Sequence, residues 1–183
     1  MAIIITNNPA ITLAFGTASA TIAFTTDATP AIQTTVTGAK DGSSITVASS
    51  AGIVAGDLLA TEGAAFDAAS PYISTVNSVS GTNVTVSFPS LRAAVSGAVC
   101  NRLERVETRF KAKKLVLTNL TNGDTYTWQV GMAIGSATKV SGGVTTTVNN
   151  NTMVNRSNCI GIHPNILPPS SSFTLSCDYG YYS

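Results

Sequence analysis

The chain has 183 residues, a formal net charge of +1 and only 10% charged residues, whereas about 25% is usual in globular domains. Its length fits one domain or two small ones, with a core that buries roughly 70% of the unfolded surface. This balance excludes the highly charged disordered proteins and the globally basic nucleic-acid binders. Threonine, serine, valine and isoleucine are abundant, and this mixture favours β-strands.

The N-terminal segment, residues 1–39, carries one charge, Asp27. Because the first basic residue is Lys40 and no apolar run is long enough to span a bilayer, we expect neither a signal peptide nor a transmembrane helix. The chain is therefore expected to fold in the cytoplasm. Alternation of apolar and polar residues over 11–15 and 21–25 predicts two half-buried strands. A segment with so little charge is expected to be covered by its own domain or by a neighbouring copy.

Residues 40–91 form the clearest unit of the chain. Short runs of valine, isoleucine, serine and threonine alternate there with glycine turns. Gly81-Thr82-Asn83 separates two such runs and predicts a hairpin. Four or five short strands in about 50 residues predict a small β-barrel or meander.

This unit has the order strand, Gly-x-x-x-Gly-Asp, strand, loop, and then Thr-Val-x-Ser-Val-Ser-Gly-Thr-x-Val-Thr-Val-Ser. It resembles a small β-module that recurs in the structural proteins of tailed-phage virions, among them decoration, fibre and tail components. The resemblance implies a virion protein that is made in the host cytoplasm and forms a symmetric oligomer, often a trimer. The residues that carry it are Gly52, Gly56, Asp57, Thr75, Val76, Ser78, Val79, Gly81, Val84, Thr85 and Val86.

Residues 92–114 hold most of the basic residues. Charged and uncharged residues alternate from Arg105 to Lys113, which predicts a strand with one charged face and one buried face. The alternation slips at Lys113-Lys114, which predicts a β-bulge. A helix from Asn101 to Lys114 is the alternative. The basic residues of this run are Arg102, Arg105, Arg109, Lys111, Lys113 and Lys114.

This basic run is the strongest candidate for a functional surface, and three interpretations stay open. It forms a solvated face that protects an edge strand, or an intersubunit or capsid-facing patch in which arginine side chains bind carboxylates. The third interpretation is a nucleic-acid surface. Few aromatic residues and the interleaved Glu104 and Glu107 argue against the third.

Residues 92–183 are predicted to form a β-sandwich. Asn122-Gly123 predicts a hairpin turn between two strands, and short strands joined by turns are typical of sandwiches. The fold class is therefore predicted to be all-β, with a small barrel-like module at 40–91, a sandwich at 92–183, and residues 1–39 as N-terminal strands or an arm. The later strands are predicted at 125–130, 143–148, 151–154 and 172–177.

The C-terminus concentrates Tyr179, Tyr181 and Tyr182. Tyrosine combines a large apolar area with a polar tip, as interface residues do. These side chains pack on the chain's own core, dock on a neighbouring subunit, or form a sugar-stacking platform together with Trp128. All three interpretations stay open.

We recognise no residue pattern of a catalytic, metal or cofactor site. The single histidine, His163, precedes a proline and is expected in a turn or at the surface. Asp57, Glu62 and Asp67 are the closest group of acids and are expected to be solvated turn residues. The spacings fit no zinc, calcium, phosphate or dinucleotide site. We therefore expect no enzyme activity and no cofactor.

The three cysteines, Cys100, Cys159 and Cys177, are expected to be buried free thiols. An odd number of cysteines in a chain without an export signal argues against a disulfide framework. Pairing of Cys159 with Cys177 is the alternative.

The preferred function is a capsid decoration or cement protein of a tailed phage. Its expected partners are the major capsid protein or other virion proteins and further copies of itself, with no membrane and no nucleic acid. The alternative is a host-surface glycan-recognition module of a head or tail fibre. An enzyme is the third possibility.

Overall fold

The structure is a computed structural model of the chain and describes residues 1–7, 12–14, 17–39, 43–62, 72–87, 96–108, 111–149, 153–156 and 159–180. Over this part of the chain the fold is all-β, as the sequence predicts, with a closed barrel and a separate sheet. The described residues contain no helix that is both long and apolar enough to span a membrane.

The strands are numbered in chain order. The first eight are β1 (Ile3–Asn7), β2 (Thr12–Ala14), β3 (Thr17–Thr26), β4 (Gln33–Ala39), β5 (Ser44–Val47), β6 (Leu58–Glu62), β7 (Tyr72–Ser80) and β8 (Asn83–Val86). The others are β9 (Val99–Glu107), β10 (Lys114–Asn119), β11 (Thr125–Gln129), β12 (Ala137–Ser141), β13 (Val144–Val148), β14 (Met153–Asn155), β15 (Cys159–Ile162) and β16 (Ser172–Gly180). A short 3₁₀ helix (Pro164–Ile166) precedes β16.

The separate sheet, here called the first sheet, has the antiparallel order β1-β3-β16-β10-β11-β12-β13, with β2 also on β3. The N-terminal strand β3 therefore lies beside the C-terminal strand β16. Apolar and polar residues alternate along β3, so that Ile22 and Phe24 are buried and Thr21 is exposed. This is the period-two pattern that a half-buried strand requires.

The barrel has the strand order β9-β4-β5-β8-β7-β6 and closes because β6 also pairs with β9. It spans residues 33–107 and so takes β4 and β9 from either side of residues 40–91. The hairpin of β7 and β8 turns at Gly81, as predicted. In a barrel this small the inward side chains fill the interior. These are mainly Val36, Ile45, Val47, Leu59, Val76, Val84 and Val86.

The second half of β9 leaves the barrel and pairs with β15, which pairs with β14. Side chains from these strands and the 3₁₀ helix share one core with the first sheet, which gives a sandwich-like packing. A smaller cluster, which includes Leu58, Leu103 and Val154, lies where the barrel meets β14. The strand β9 thus belongs to the barrel at one end and to the sandwich-like core at the other.

The predicted basic strand is two elements rather than one. Arg105 and Glu107 are exposed and Val106 is buried, so the predicted alternation is confirmed there. However, β9 ends at Glu107, and β10 begins at Lys114 in the other sheet. The slip at Lys113-Lys114 therefore marks the start of a strand in a new sheet, and the predicted bulge is wrong.

Candidate functional site

Arg102 is held by its own chain. Its Nη2 atom donates to the carbonyl of Met1 (3.0 Å) and to Oε1 of Glu104 (3.1 Å), and Nη1 donates to the carbonyl of Gly52 (3.4 Å). The Arg102 side chain is 19% exposed and that of Glu104 is 6% exposed. Burial raises the pKa of Glu104, and Arg102 opposes that rise. Arg102 thus ties the N-terminus to the barrel and compensates a buried carboxylate.

Arg105 also has partners within the chain. Its Nε atom lies 2.8 Å from Oε1 of Glu107, and its Nη1 atom donates to the carbonyl of Gly56 at 3.0 Å. Both Arg105 and Glu107 are exposed, so this ion pair is screened and contributes about 1 kcal/mol or less. The two described arginines of the basic run therefore fasten loops of the barrel to β9.

Lys111, Lys113 and Lys114 are all exposed around the start of β10. The backbone N–H of Lys113 donates to the carbonyl of Asp178 (2.6 Å), and Lys114 is the ladder partner of Asp178. Lys113 and Lys114 therefore lie beside the C-terminal end of β16, and Lys111 precedes them by two positions along the chain. The three lysines form the exposed cationic part of the predicted patch, here called the lysine cluster.

The remaining predicted site residues are placed differently. Tyr179 is buried in the core of the first sheet together with Trp128. Arg109, Tyr181 and Tyr182 lie outside the described residues. The structure therefore brings the lysine cluster close to the end of β16 but places the Tyr179 ring inside the chain's own core.

His163 is buried rather than at the surface, which corrects the sequence expectation. Its Nδ1 atom accepts a hydrogen bond from the backbone N–H of Asn165 (3.1 Å), so the proton of the neutral imidazole lies on Nε2. Nε2 lies 3.1 Å from Oε1 of Glu62. Both ring nitrogens are thus bonded to groups of the chain itself. The pair fixes the 3₁₀ helix to the end of β6.

Glu62 is accordingly a half-buried partner of the imidazole and not a solvated turn residue. Asp57 behaves as predicted, because it accepts a hydrogen bond from the backbone N–H of Val54 within a turn (2.9 Å). Asp67 lies outside the described residues. Among the described residues, no three histidine, cysteine or acidic side chains come together as a metal site.

The three cysteines are buried free thiols, as predicted. Burial raises the pKa of Cys100 and of Cys177 to about 11, and it also raises the pKa of Cys159. Only the thiolate is nucleophilic. Cys100 and Cys177 are therefore almost entirely protonated, and so weakly nucleophilic, near neutral pH.

We expect the folded protein to resist Ellman's reagent at pH 8. A thiol whose pKa is about 11 is ionised in about one part in a thousand at that pH, and burial blocks access of the reagent. In denaturant, three thiols per chain should react at once. Rapid reaction of Cys100 or Cys177 in the native state would contradict their placement in the two cores.

A cavity of about 300 Å³ lies between Trp128 and β14. Its described lining includes two cations, Lys111 and Arg156, and no carboxylate. Asn155, which also lines it, exchanges hydrogen bonds with the backbone of Ala112, and Arg156 donates to the carbonyl of Ile73 (3.5 Å). Because these polar groups bind the chain itself, we assign no ligand to the cavity.

A second exposed surface is formed by the two edges of the first sheet, of which the sequence pointed only to the one within the uncharged residues 1–39. β1 and β13 stand at its two ends. Neither strand contains a charged residue, and the side chains of Ile4 and Val144 are 54% and 63% exposed. The signal was present in the sequence as two short uncharged strands, but only the topology shows that they lie at sheet ends.

Comparison with known protein families, with curated proteins and with solved structures finds no match to this chain.

Proposed function

We propose that the chain is a structural protein whose sheets bind other subunits, and that it serves as a capsid decoration or cement protein of a tailed phage. The observation that carries the subunit-binding role is the uncharged, partly apolar pair of edge strands, β1 and β13. Exposed sheet edges are normally protected by charge, proline or irregular pairing, because they are templates for another chain. The strand β13 has none of these protections, and β1 has only the irregular pairing between Ile5 and Asn7. A subunit that binds neighbouring subunits can use such edges for strand pairing.

The closed barrel supports the same proposal. A closed barrel has no free edges, so among the described strands the edges available for pairing lie on the first sheet and at β14. The fold thereby joins a self-contained module to a sheet that can extend. The virion assignment itself rests on the resemblance of residues 40–91 to virion β-modules.

The lysine cluster supplies a second contact in this proposal. Arg102 and Arg105 bind carbonyl and carboxylate groups of their own chain, so they stabilise the subunit. Lys111, Lys113 and Lys114 are exposed and lie within four positions of one another along the chain, which suits steering towards an acidic surface on the capsid. Such steering weakens as salt is raised.

The test is cosedimentation with capsids and with cells. The purified chain is mixed with capsids of its source phage prepared without their decoration protein, and separately with cells of the host. We expect saturable binding to the capsids and none to the cells. Binding to the cells alone would overturn the cement role and favour the glycan-recognition alternative. In that alternative the sugar-stacking residues would be Tyr181 and Tyr182, because Trp128 is buried.

A charge variant separates steering from folding. Lys111→Glu together with Lys114→Glu should reduce capsid binding by about tenfold at low salt, since each reversal exchanges attraction for repulsion at an acidic surface. The matched control is Lys139→Gln, which removes a lysine of the first sheet that is already paired with Asp124 (3.0 Å). If both variants bind capsids as the parent chain does, the lysine cluster is only a solvated surface.

A further inference from the structure

The strand β13 presents an open edge to solvent. It ends the first sheet, and among the described residues β12 is its one ladder partner. Residues 144–147 are all exposed. Its sequence is Val-Thr-Thr-Thr-Val, without the lysine or proline that usually guards an edge, and its pairing with β12 has no bulge.

The hairpin geometry determines which backbone groups point outward. Gly142 and Gly143 have φ values of +55° and +80° and form the two-residue turn, a conformation that glycine adopts without strain. Ser141 and Val144 flank this turn as ladder partners. In a hairpin with a two-residue turn the flanking residues form a hydrogen-bonded pair, so their backbone groups point towards each other. Because the backbone groups of successive residues point to opposite edges of a strand, Thr145 and Thr147 present their N–H and C=O groups to the outer edge.

We propose that β13 pairs with β13 of a second copy of this chain, antiparallel about a two-fold axis at Thr146. In this register Thr145 lies opposite Thr147 of the second copy, and the two such pairs make four backbone hydrogen bonds. The first sheets of the two copies become one continuous sheet. A single two-fold contact of this kind closes on itself and gives a dimer, in place of the trimer that the resemblance to virion proteins implies.

The sequence of β13 fits a copy of itself. A two-fold axis at Thr146 pairs residues at equal distances on either side of it, and Val-Thr-Thr-Thr-Val is the same in both directions. Every cross-strand pair is therefore Val–Val or Thr–Thr, and both kinds favour pairing. The exposed Val144 is covered by Val148 of the second copy, on the face of the sheet that forms the core.

The charges near the axis are also compatible with a second copy. Lys139 is the ladder partner of Thr146 on β12. Its Nζ atom lies 3.0 Å from Asp124 and 5.5 Å from the ring centre of Tyr126, so its charge is compensated within the chain. Two neutral edges meet, and no like charges face each other across the axis.

This inference names one partner for the subunit-binding role proposed above and rests on that role. The test uses two double variants of the full chain, Thr145→Lys with Thr147→Lys, and Thr145→Lys with Thr147→Glu. In the proposed register the first places lysine opposite lysine across the axis, and the second places lysine opposite glutamate at both pairs. Within one chain the neighbours of these positions on β12 are Val140 and Thr138, so neither variant gains an intramolecular ion pair with them.

We expect the parent chain to sediment with twice the mass of 18.7 kDa. The Lys/Glu variant should stay dimeric, and the Lys/Lys variant should dissociate at least about tenfold more readily. Sedimentation equilibrium over about a hundredfold range of concentration measures this. Circular dichroism verifies that both variants keep the fold of the parent.

Four outcomes overturn the inference, three of them as follows. The parent chain is monomeric or trimeric throughout, both double variants dissociate alike, or both stay dimeric alike. Masses that grow without limit also overturn it, because they indicate β13 pairing with β1 of the next copy in an open series. Capsid cosedimentation is measured separately: a monomer that still binds capsids overturns only the β13 pairing, and a dimer that does not bind them overturns only the cement role.

Discussion

Phe173→Ala should lower the free energy of unfolding by about 3–5 kcal/mol. Phe173 in β16 is the ladder partner of Phe24 in β3, and their rings stack with centres 5.2 Å apart. Both side chains are fully buried in the core beneath the first sheet. Truncation removes the stacking contact and leaves a cavity that the flanking strands cannot fill, because each is fixed by its own ladder.

Urea unfolding at a fixed protein concentration measures this loss, since oligomerisation makes apparent stability depend on concentration. Ser176→Ala is the matched control, because Ser176 lies in the same strand with its side chain exposed. We expect the control to change stability by less than about 0.5 kcal/mol. A loss below about 1 kcal/mol for Phe173→Ala would contradict the close pairing of the N-terminal and C-terminal strands.

The local β-structure was predictable from the sequence. Alternation over 21–25 marks the buried face of β3, and the turns at Gly81 and Gly123 mark two hairpins. These signals are local, since each depends on residues within a few positions of one another. The all-β class and the presence of a small barrel follow from them.

The closure of the barrel was not predictable in the same way. It depends on β9 pairing with both β4 and β6, which are about 40 or more residues away along the chain. No local pattern in Val99–Glu107 indicates two partners at one end and β15 at the other. The change of sheet between Glu107 and Lys114 was not predictable either, because a slip in the alternation of charged and uncharged residues fits both a bulge and the start of a new strand.

The hydrogen-bond partners in the candidate site were also not predictable from the sequence. The sequence identifies Arg102 and Arg105 as cations but not their partners, which are carbonyl groups of Met1, Gly52 and Gly56. Backbone acceptors have no signature in the sequence. The β13 edge was predicted as a strand, yet its position at a sheet end comes from the order of all the other strands.

Arg102→Gln should cost about 3 kcal/mol at pH 7, near the lower end of what removing one partner of a buried ion pair costs, because Arg102 is partly exposed. The substitution leaves the Glu104 carboxylate without its positive partner. It also releases the carbonyl groups of Met1 and Gly52. Urea unfolding of Arg102→Gln, Glu104→Gln and the double variant forms the double-mutant cycle.

The double variant should be more stable than Arg102→Gln alone at pH 7. A glutamine at 104 carries no charge, so the uncompensated buried charge disappears along with the arginine. If the effects of the two single substitutions simply add, Arg102 and Glu104 are not coupled, and the interpretation of Arg102 as the compensating charge is wrong.

The pH dependence of the free energy of unfolding tests the Arg102–Glu104 pair independently. Burial raises the pKa of Glu104 in the folded state above its ordinary value, so the folded chain binds this proton more tightly than the unfolded chain. The contribution of Glu104 to the free energy of unfolding is therefore fully present below the ordinary pKa of glutamate. It is lost as pH rises through the raised pKa of the folded state. Without Arg102 that pKa rises further, so the decline extends to higher pH.

Unfolding measured between about pH 4 and pH 8 tests this. The free energy of unfolding of Arg102→Gln should approach that of the parent at the acid end and fall below it as pH rises, while Glu104→Gln lacks this decline. Parallel curves for the parent and Arg102→Gln would mean that the arginine acts through its bonds to Met1 and Gly52 alone.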